Sequence, residues 1–474
     1  MTISVLPDDV LLEIFNLHVT RPQSYSYVSR EGPKLYEDAW HTLVHVCQKW
    51  RSVVFSSPRR LNLRLFCTNK RPIEKMPTIW PTLPIIIYAY SETSLLRGVS
   101  NLFTALGQHN RICKIDICGI PNSLLKQFGA MKKPFPKLTR LDLRSHDRSA
   151  PVIPNSFLGG CAPRLRRLFL DGIPFPALPK LLLSCHDLVN LQLWNISPSG
   201  YIPPDSMVTC VAALKSLDLL DLKFRSPRSR ADRESRRPSP YTRVVLPTLT
   251  RFYFQGDSDC LEDIISRIDV PLLRHIVIKF FNQLIFDTPL LLHFISRTEN
   301  FKTPQSADIQ FGDGSVSIII FWPDAILNSQ IDLTISCRPS DWQLSSLAQV
   351  WSSALSPLLT LDLLEIRDHR EHWQDDMEIT QWLELLRPFV SVKHLVLSKK
   401  LVQLLAPALQ VIAEERMMET LPALERLSLR GLHPSGPVKE AIGTYIAARR
   451  LFSRPITVDH FDDEGSKMYE NYDR

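Results

Sequence analysis

No two cysteines in this 474-residue chain stand in a C-x-x-C spacing, although the chain has nine of them. The nearest pair, Cys113 and Cys118, fits neither a zinc knuckle nor a redox motif, so the thiols are read as reduced, mostly buried and intracellular. Long apolar runs are missing too. The stretch Leu284 to Ile295 is broken by Asp287 and Pro289 and falls short of a bilayer span. The N-terminus has no basic segment followed by an apolar one, so no signal peptide is expected. These absences predict a cytoplasmic or nuclear protein with no membrane partner, in which the sequon Asn195-Ile196-Ser197 stays unglycosylated.

Catalytic signatures are equally scarce. There is no nucleophile elbow, paired catalytic carboxylate, zinc-protease motif or dinucleotide fingerprint. Gly312-Asp313-Gly314 lacks the Lys-Ser or Lys-Thr and the helix that a phosphate loop needs. The densest polar cluster is Asp368-His369-Arg370-Glu371-His372-Trp373, with Asp375 and Asp376 beyond it. His369 and His372 are three apart, but a metal site needs three or four ligands and no third is evident. The chain is therefore read as non-catalytic, with no metal and no cofactor.

What is present begins with charge. The net +7 is unevenly spread: residues 225–243 hold seven arginines against Asp232 and Glu234. The segment after Asp459 is acidic, and the tail is drawn as residues 456–474. Neither segment has an apolar period, so both read as solvated. The arginine loop could neutralise phosphates, but its one aromatic, Tyr241, offers no stacking register, which argues against a nucleic-acid partner. Ser226-Pro227 and Ser239-Pro240 have the spelling of proline-directed phosphosites.

At the N-terminus, LPDDVLLEIF opens with Pro7 in a position that suits a first helical turn, and Asp8 and Asp9 favour the positive end of the helix dipole. Val10, Ile14 and Leu17 fall at i, i+4, i+7, with Leu11 and Phe15 beside them. In a second segment Leu43, Val46, Cys47, Trp50 and Val54 keep a helical period until Ser56-Ser57-Pro58. The order Leu6-Pro7, apolar helix, Val46-Cys47-x-x-Trp50-Arg51, Pro58 resembles the F-box, with a polar insertion over residues 18–39 between its halves. The resemblance implies docking to a Skp-type adaptor and, through it, to a cullin ligase. Carried onto this chain, the adaptor-facing residues would be Leu6, Pro7, Val10, Leu11, Ile14, Phe15, Val46, Cys47 and Trp50.

Past residue 110 an L-x-x-L-x-L pattern recurs ten times, starting at Ile112, Leu138, Leu165, Leu188, Leu217, Leu249, Leu273, Leu361, Val392 and Leu424. Most units lie 23 to 32 residues apart, near the roughly 20–29 of leucine-rich repeats. The pattern lapses between Ile278 and Leu361, where alternating segments around Gly312-Asp313-Gly314 predict a hairpin. Such repeats cannot bury their own leucines and must stack, so strands line one face and helices or turns the other.

Outward strand positions are then the candidate target-binding surface. They are Arg140, Asp142, Arg144, Arg167, Phe169, Gln192, Trp194, Arg251, Tyr253, Lys279, Arg367, Arg426 and Arg430, with Asp171, Gln255, His275, Glu365 and His394 beside them. Arg, Tyr and Trp are types enriched at binding hot spots.

The combined expectation is an α/β chain: an F-box at 1–66, a linker at 67–100, and a leucine-rich horseshoe at 101–455. The whole is similar to the F-box/leucine-rich-repeat proteins, above all their fungal branch. That similarity implies a substrate-recognition adaptor of a cullin-based ubiquitin ligase, its repeats binding a protein target that the sequence leaves unidentified. The alternatives are a repeat scaffold that recruits no ligase, and a nucleic-acid-associated protein working through the arginine loop.

Overall fold

The computed structural model describes residues 6–19, 39–68, 82–90, 92–147, 149–227, 243–283, 286, 288–322, 329–337, 340–350, 360–369, 378–415, 419–431 and 436–461. The insertion at 20–38, the arginine loop at 228–242, His372 with its neighbours at 370–377, and the tail at 462–474 lie outside the described residues. The chain divides into two compact units, the first built mainly from residues up to Asn190 and the second from Leu191 onward.

The first unit opens with α1 (Asp8–Val19), α2 (Ala39–Val44) and α3 (Gln48–Ser56). Leu11, Phe15, Trp40, Leu43, Val53 and Val54 are buried among them. The Phe15 and Trp50 rings meet edge-on at 4.8 Å. Ion pairs from Arg60 to Asp9 at 3.1 Å and to Glu13 at 2.7 Å tie the segment after α3 back to α1. The expected unbroken helical period through Val46 and Cys47 is interrupted. Cys47 has an extended backbone, and its Sγ accepts the Trp50 N–H at 3.4 Å, which makes it the N-cap of α3. A cap replaces a helical turn there, because the first N–H groups of α3 need an acceptor.

Five strands follow in the order β1 (Leu65–Cys67), β2 (Ile85–Tyr90), β3 (Ile112–Cys118), β4 (Arg140–Arg144) and β5 (Arg167–Asp171). All are parallel neighbours, with one register shift between Ile85 and Ile86 against β3; beyond it Ile87, Ile115, Leu141 and Leu168 form one buried column, and Ala89, Ile117, Leu143 and Leu170 a second. The array therefore starts before the first expected repeat. Residues 67–100 are not a linker throughout, since β2 and the start of the helix Glu92–Gly107 lie within them. Leu83-Pro84-Ile85-Ile86-Ile87 carries the apolar strand signal that the six-residue pattern misses. Gly172 ends β5 with φ +67°, where a Cβ would sit 2.6 Å from the Ser145 carbonyl oxygen. Any side chain there collides with backbone, so glycine is required.

In the second unit the strands are β6 (Asn190–Ile196), β7 (Leu219–Phe224), β8 (Val244–Val245), β9 (Arg251–Gly256), β10 (Ile268–Asp269) and β11 (His275–Phe280). After them come β12 (Ser306–Gly312), β13 (Ser315–Phe321), β14 (Gln330–Ser336), β15 (Leu363–Asp368), β16 (His394–Ser398), β17 (Arg426–Arg430) and β18 (Thr457–Phe461). The main sheet runs β6-β7-β9-β11-β14-β13-β12-β15-β16-β17-β18, while β8 and β10 form a small parallel pair. The lapse in the repeat is a reversed meander. β14 pairs with β11 and β12 with β15, both parallel, and β13 lies antiparallel between them. The expected hairpin is present, with Gly312 paired to Ser315 across Asp313-Gly314. Alternation keeps Ile309, Phe311, Val316, Ile318, Ile320, Ile331, Leu333 and Ile335 in the core throughout. β18 pairs with β17, so the array continues past residue 455 into the stretch read as an acidic tail.

Buried polar groups lock helices to one another. Glu262, in the helix Ser258–Ile265, accepts the N–H groups of Leu290 and Leu291 at 2.9 Å each. These are first-turn donors of the helix Pro289–Ser296, whose own N-cap Thr288 makes no side-chain cap bond. The carboxylate thus satisfies donors that would otherwise be orphaned and sits on the favourable end of the dipole.

Candidate functional site

Two surfaces answer to the candidate residues. The first lies on α1 to α3. Val10 and Ile14 are 43% and 44% exposed, Leu17 continues their stripe at 73%, and Val46 is 57% exposed in the turn between α2 and α3. Pro7 is exposed as well, whereas Leu6 is half-buried and its carbonyl accepts from Lys49 Nζ at 2.8 Å. Leu11 and Phe15 correct the expected set. Both are fully buried inside this helical cluster and unavailable to a partner. An amphipathic helix of this period has two apolar flanks, and here one flank is already covered. Cys47 and Trp50 are half-buried, the first spent on its cap and the second on Phe15.

The second surface is the outer face of the strands, where alternation places the residues between the buried leucines. In the first unit Asp142 is wholly enclosed. Its Oδ2 accepts Arg140 Nε and Nη2 at 3.0 and 2.6 Å, and its Oδ1 accepts Arg167 Nε at 3.3 Å. Lys114 and Arg140 flank Asp116 at 3.5 and 3.6 Å. Phe169 is buried, and the Arg144 guanidinium stands 5.0 Å from its ring centre. Asp142 and Phe169 are thus enclosed and not contact residues, because long arginines on their own and neighbouring strands fold over them. Arg140, Arg144 and Arg167 remain half-exposed above.

On the second unit, Trp194 Nε1 donates to Asp221 Oδ2 at 2.7 Å and Lys223 Nζ lies 3.8 Å from the Trp194 ring centre. Gln192 and Tyr253 are half-buried and Lys279 is exposed. Arg251 pairs with Asp218, whose carboxylate also accepts the Thr250 hydroxyl. Further along, Arg367 pairs with Asp308 and approaches Glu365 at 3.4 Å, and Arg430 reaches the same Glu365 at 3.0 Å. Arg426 meets Asp459 at 3.5 Å. His394 Nε2 and Ser428 Oγ are 2.7 Å apart, but Ser428 is buried and has no path to a substrate.

Sequence reasoning missed the acidic partners Asp116, Asp218, Asp221 and Asp308. Asp116 and Asp221 were legible as the middle residues of Ile115-x-Ile117 and Leu220-x-Leu222. Asp308 lies where the six-residue signature lapses.

Electrostatically, the outer face is a set of enclosed carboxylates under cationic side chains. Burial pushes Asp221 up from the ordinary carboxylate value against the pull of Lys223 and Trp194. Burial, then Asp142, raises Asp116, and burial raises Glu365 against Arg367 and Arg430. A raised folded value means the folded chain holds the proton more tightly. The associated stability is full below the unfolded value and is lost as pH rises through the folded one. Asp221→Asn, which keeps an acceptor for Trp194, is therefore expected to gain on the parent protein as pH rises above about 4, the ordinary carboxylate value. Urea unfolding at a series of pH values upward from about 4 checks it; a pH-independent difference contradicts it.

All nine cysteines are free, and burial pushes Cys67, Cys185 and Cys210 up to about 12, which leaves them protonated and inert at neutral pH. Among the described residues no three His, Cys, Asp or Glu side chains are grouped to hold a metal, and no helix is long and apolar enough to cross a membrane.

No family model matches this chain, and neither does any curated protein. Among solved structures it is similar to the leucine-rich repeat-containing protein LegL7 from Legionella pneumophila, at 14% identity. The match covers 69% of this chain and 94% of that one, with a TM-score of 0.26.

Proposed function

We propose that this chain is a non-catalytic recognition adaptor: its N-terminal helices dock a Skp-type adaptor of a cullin ubiquitin ligase, and its repeat face holds the protein to be modified. The observation that carries the reading is the bare apolar stripe Val10, Ile14 and Leu17 on α1, with Val46 exposed beside Cys47. Apolar side chains at helical spacing that stay in water favour a partner that covers them. The outer strand face suits a polypeptide, since it offers half-exposed arginines, Trp194 and Tyr253 on a rigid sheet. Such a protein supplies proximity, raising the concentration of a target near a charged ubiquitin, while the recruited enzymes do the chemistry.

Co-purification with a Skp-type adaptor tests this, comparing the full chain with a version lacking residues 1–61. Capture by the full chain alone is expected. Equal recovery of both forms, or of neither with the full chain folded, leaves a repeat scaffold that recruits no ligase.

A further inference from the structure

The outer face of the second unit carries a basic cluster that the carboxylates among the described residues do not fully neutralise. β9 and β11 are parallel neighbours with Arg251 opposite His275, and Arg274 precedes His275 at the start of β11. The main-chain N–H groups of Arg274 and His275 both donate to the Thr250 carbonyl, at 2.9 and 3.1 Å, so whatever binds here is held by side chains. Asp218 is the facing carboxylate, and both its oxygens are committed, Oδ1 to the Thr250 hydroxyl and Oδ2 to Arg251. Among the described residues, the guanidinium groups of Arg251 and Arg274 both act on this one carboxylate. Arg274 Nε is enclosed and has no hydrogen-bond partner among the described residues. A buried donor left unmet costs about 1–3 kcal/mol.

We infer that Arg251, Arg274 and His275 form a subsite for an oxyanion, a phosphate or carboxylate group borne by the polypeptide on the repeat face. The inference rests on reading that face as polypeptide-binding and adds what chemistry it selects. Guanidinium forks match the paired oxygens of both groups, and a partly enclosed site strengthens each charge-assisted bond. Burial, then Arg251 and Arg274, hold the His275 ring below its ordinary value, so at neutral pH it is uncharged and can donate or accept. Tyr253, on the same face of β9 and half-buried, is raised by burial and stays a neutral phenol. An anion seated between the guanidinium groups cancels the charge that holds His275 down.

The test follows the His275 ring by NMR in the full-length protein, with selectively labelled histidine, at constant ionic strength. The probes are inorganic phosphate and acetate, with chloride as the control. The expected result is a saturable upward shift of the His275 titration by about 0.5–1 unit with at least one probe and none with chloride. Response to phosphate alone assigns a phosphoryl group, and response to acetate alone a carboxylate. In Arg274→Gln, shown folded by an unchanged melting temperature, the His275 titration rises on its own and its response to the probe disappears. A His275 ring indifferent to both anions, or an Arg274→Gln protein that still responds, overturns the subsite. No adaptor is present in this experiment, so failure of ligase docking cannot be confused with failure of the subsite.

Discussion

Arg449→Ala is expected to lower the stability of the second unit by about 2–4 kcal/mol, since it leaves several buried carbonyls without a donor, at about 1–3 kcal/mol for each that water does not reach. Arg449 lies in the last turn of the helix Gly436–Leu451 and is 1% exposed. Its Nε donates to the Arg454 carbonyl at 3.2 Å, and Nη1 to the Leu421 and Pro422 carbonyls at 3.2 and 3.4 Å. Nη2 donates to Pro422 at 3.4 Å and to Leu424. Four carbonyls thus converge on one guanidinium, and none of its hydrogen bonds goes to a carboxylate. Burial lowers its proton affinity, yet an arginine stays charged in any protein.

The bonds pin the turn that leads into β17, where Leu421 sits at φ 49°, a left-handed conformation costing a leucine of order 1–3 kcal/mol. Alanine removes the donors and leaves the carbonyls dry. Lysine restores the charge but not the fork, and is expected to recover less than half of the loss. Guanidinium denaturation compares the three proteins; a loss below about 1 kcal/mol for alanine shows that water replaces the clasp.

The second large effect separates docking from folding on α1. Ile14→Asp combined with Val46→Asp is expected to weaken adaptor binding at least 100-fold, about 2.7 kcal/mol, with no change in melting temperature. Both side chains are about half exposed, so a carboxylate there reaches solvent and costs the free chain little. Leu11→Ala behaves the other way. It empties a fully buried site and is expected to cost roughly 2–5 kcal/mol of helical-cluster stability, with any binding loss secondary. Calorimetric titration with purified adaptor, beside thermal melts, distinguishes the two. If the aspartate pair binds as tightly as the parent, the apolar stripe serves something other than an adaptor.

Periodicity made the repeat strands legible because the buried leucines need no partner other than one another. Leu141 and Leu143 face the core as the pattern requires, and the same holds from Leu168 to Leu429. Where the pattern is broken the reading weakened for identifiable reasons. β2 hides in an isoleucine run without the six-residue spacing, and β12 to β14 alternate strictly but carry no leucine signature. At the surface, alternation told which side each residue takes but not whether it stays uncovered. Asp142 lies on the outer side as expected and is nevertheless enclosed, because Arg140 two residues back on its own strand and Arg167, paired with Arg140 on the next strand, both donate to its carboxylate. Likewise the stripe on α1 could not be divided into a core flank and a free flank from spacing alone. That division depends on Trp50 and Val54 arriving from α3.

The reversed meander has a consequence for the order in which the chain can assemble. Elsewhere in the second unit each parallel strand finds its neighbour in the next repeat, so ordering can propagate stepwise as a repeat array does. At β11 that relay stops. Its partner is β14, and β12 and β13 must be made first, with neither able to extend the growing edge. The β11 edge has no partner until the chain has passed through β12 and β13 and returned as β14. Closure then brings β14 home and presents β12 as the platform for β15. The junction is accordingly the place in the second unit where loop closure must come before any reward in contacts.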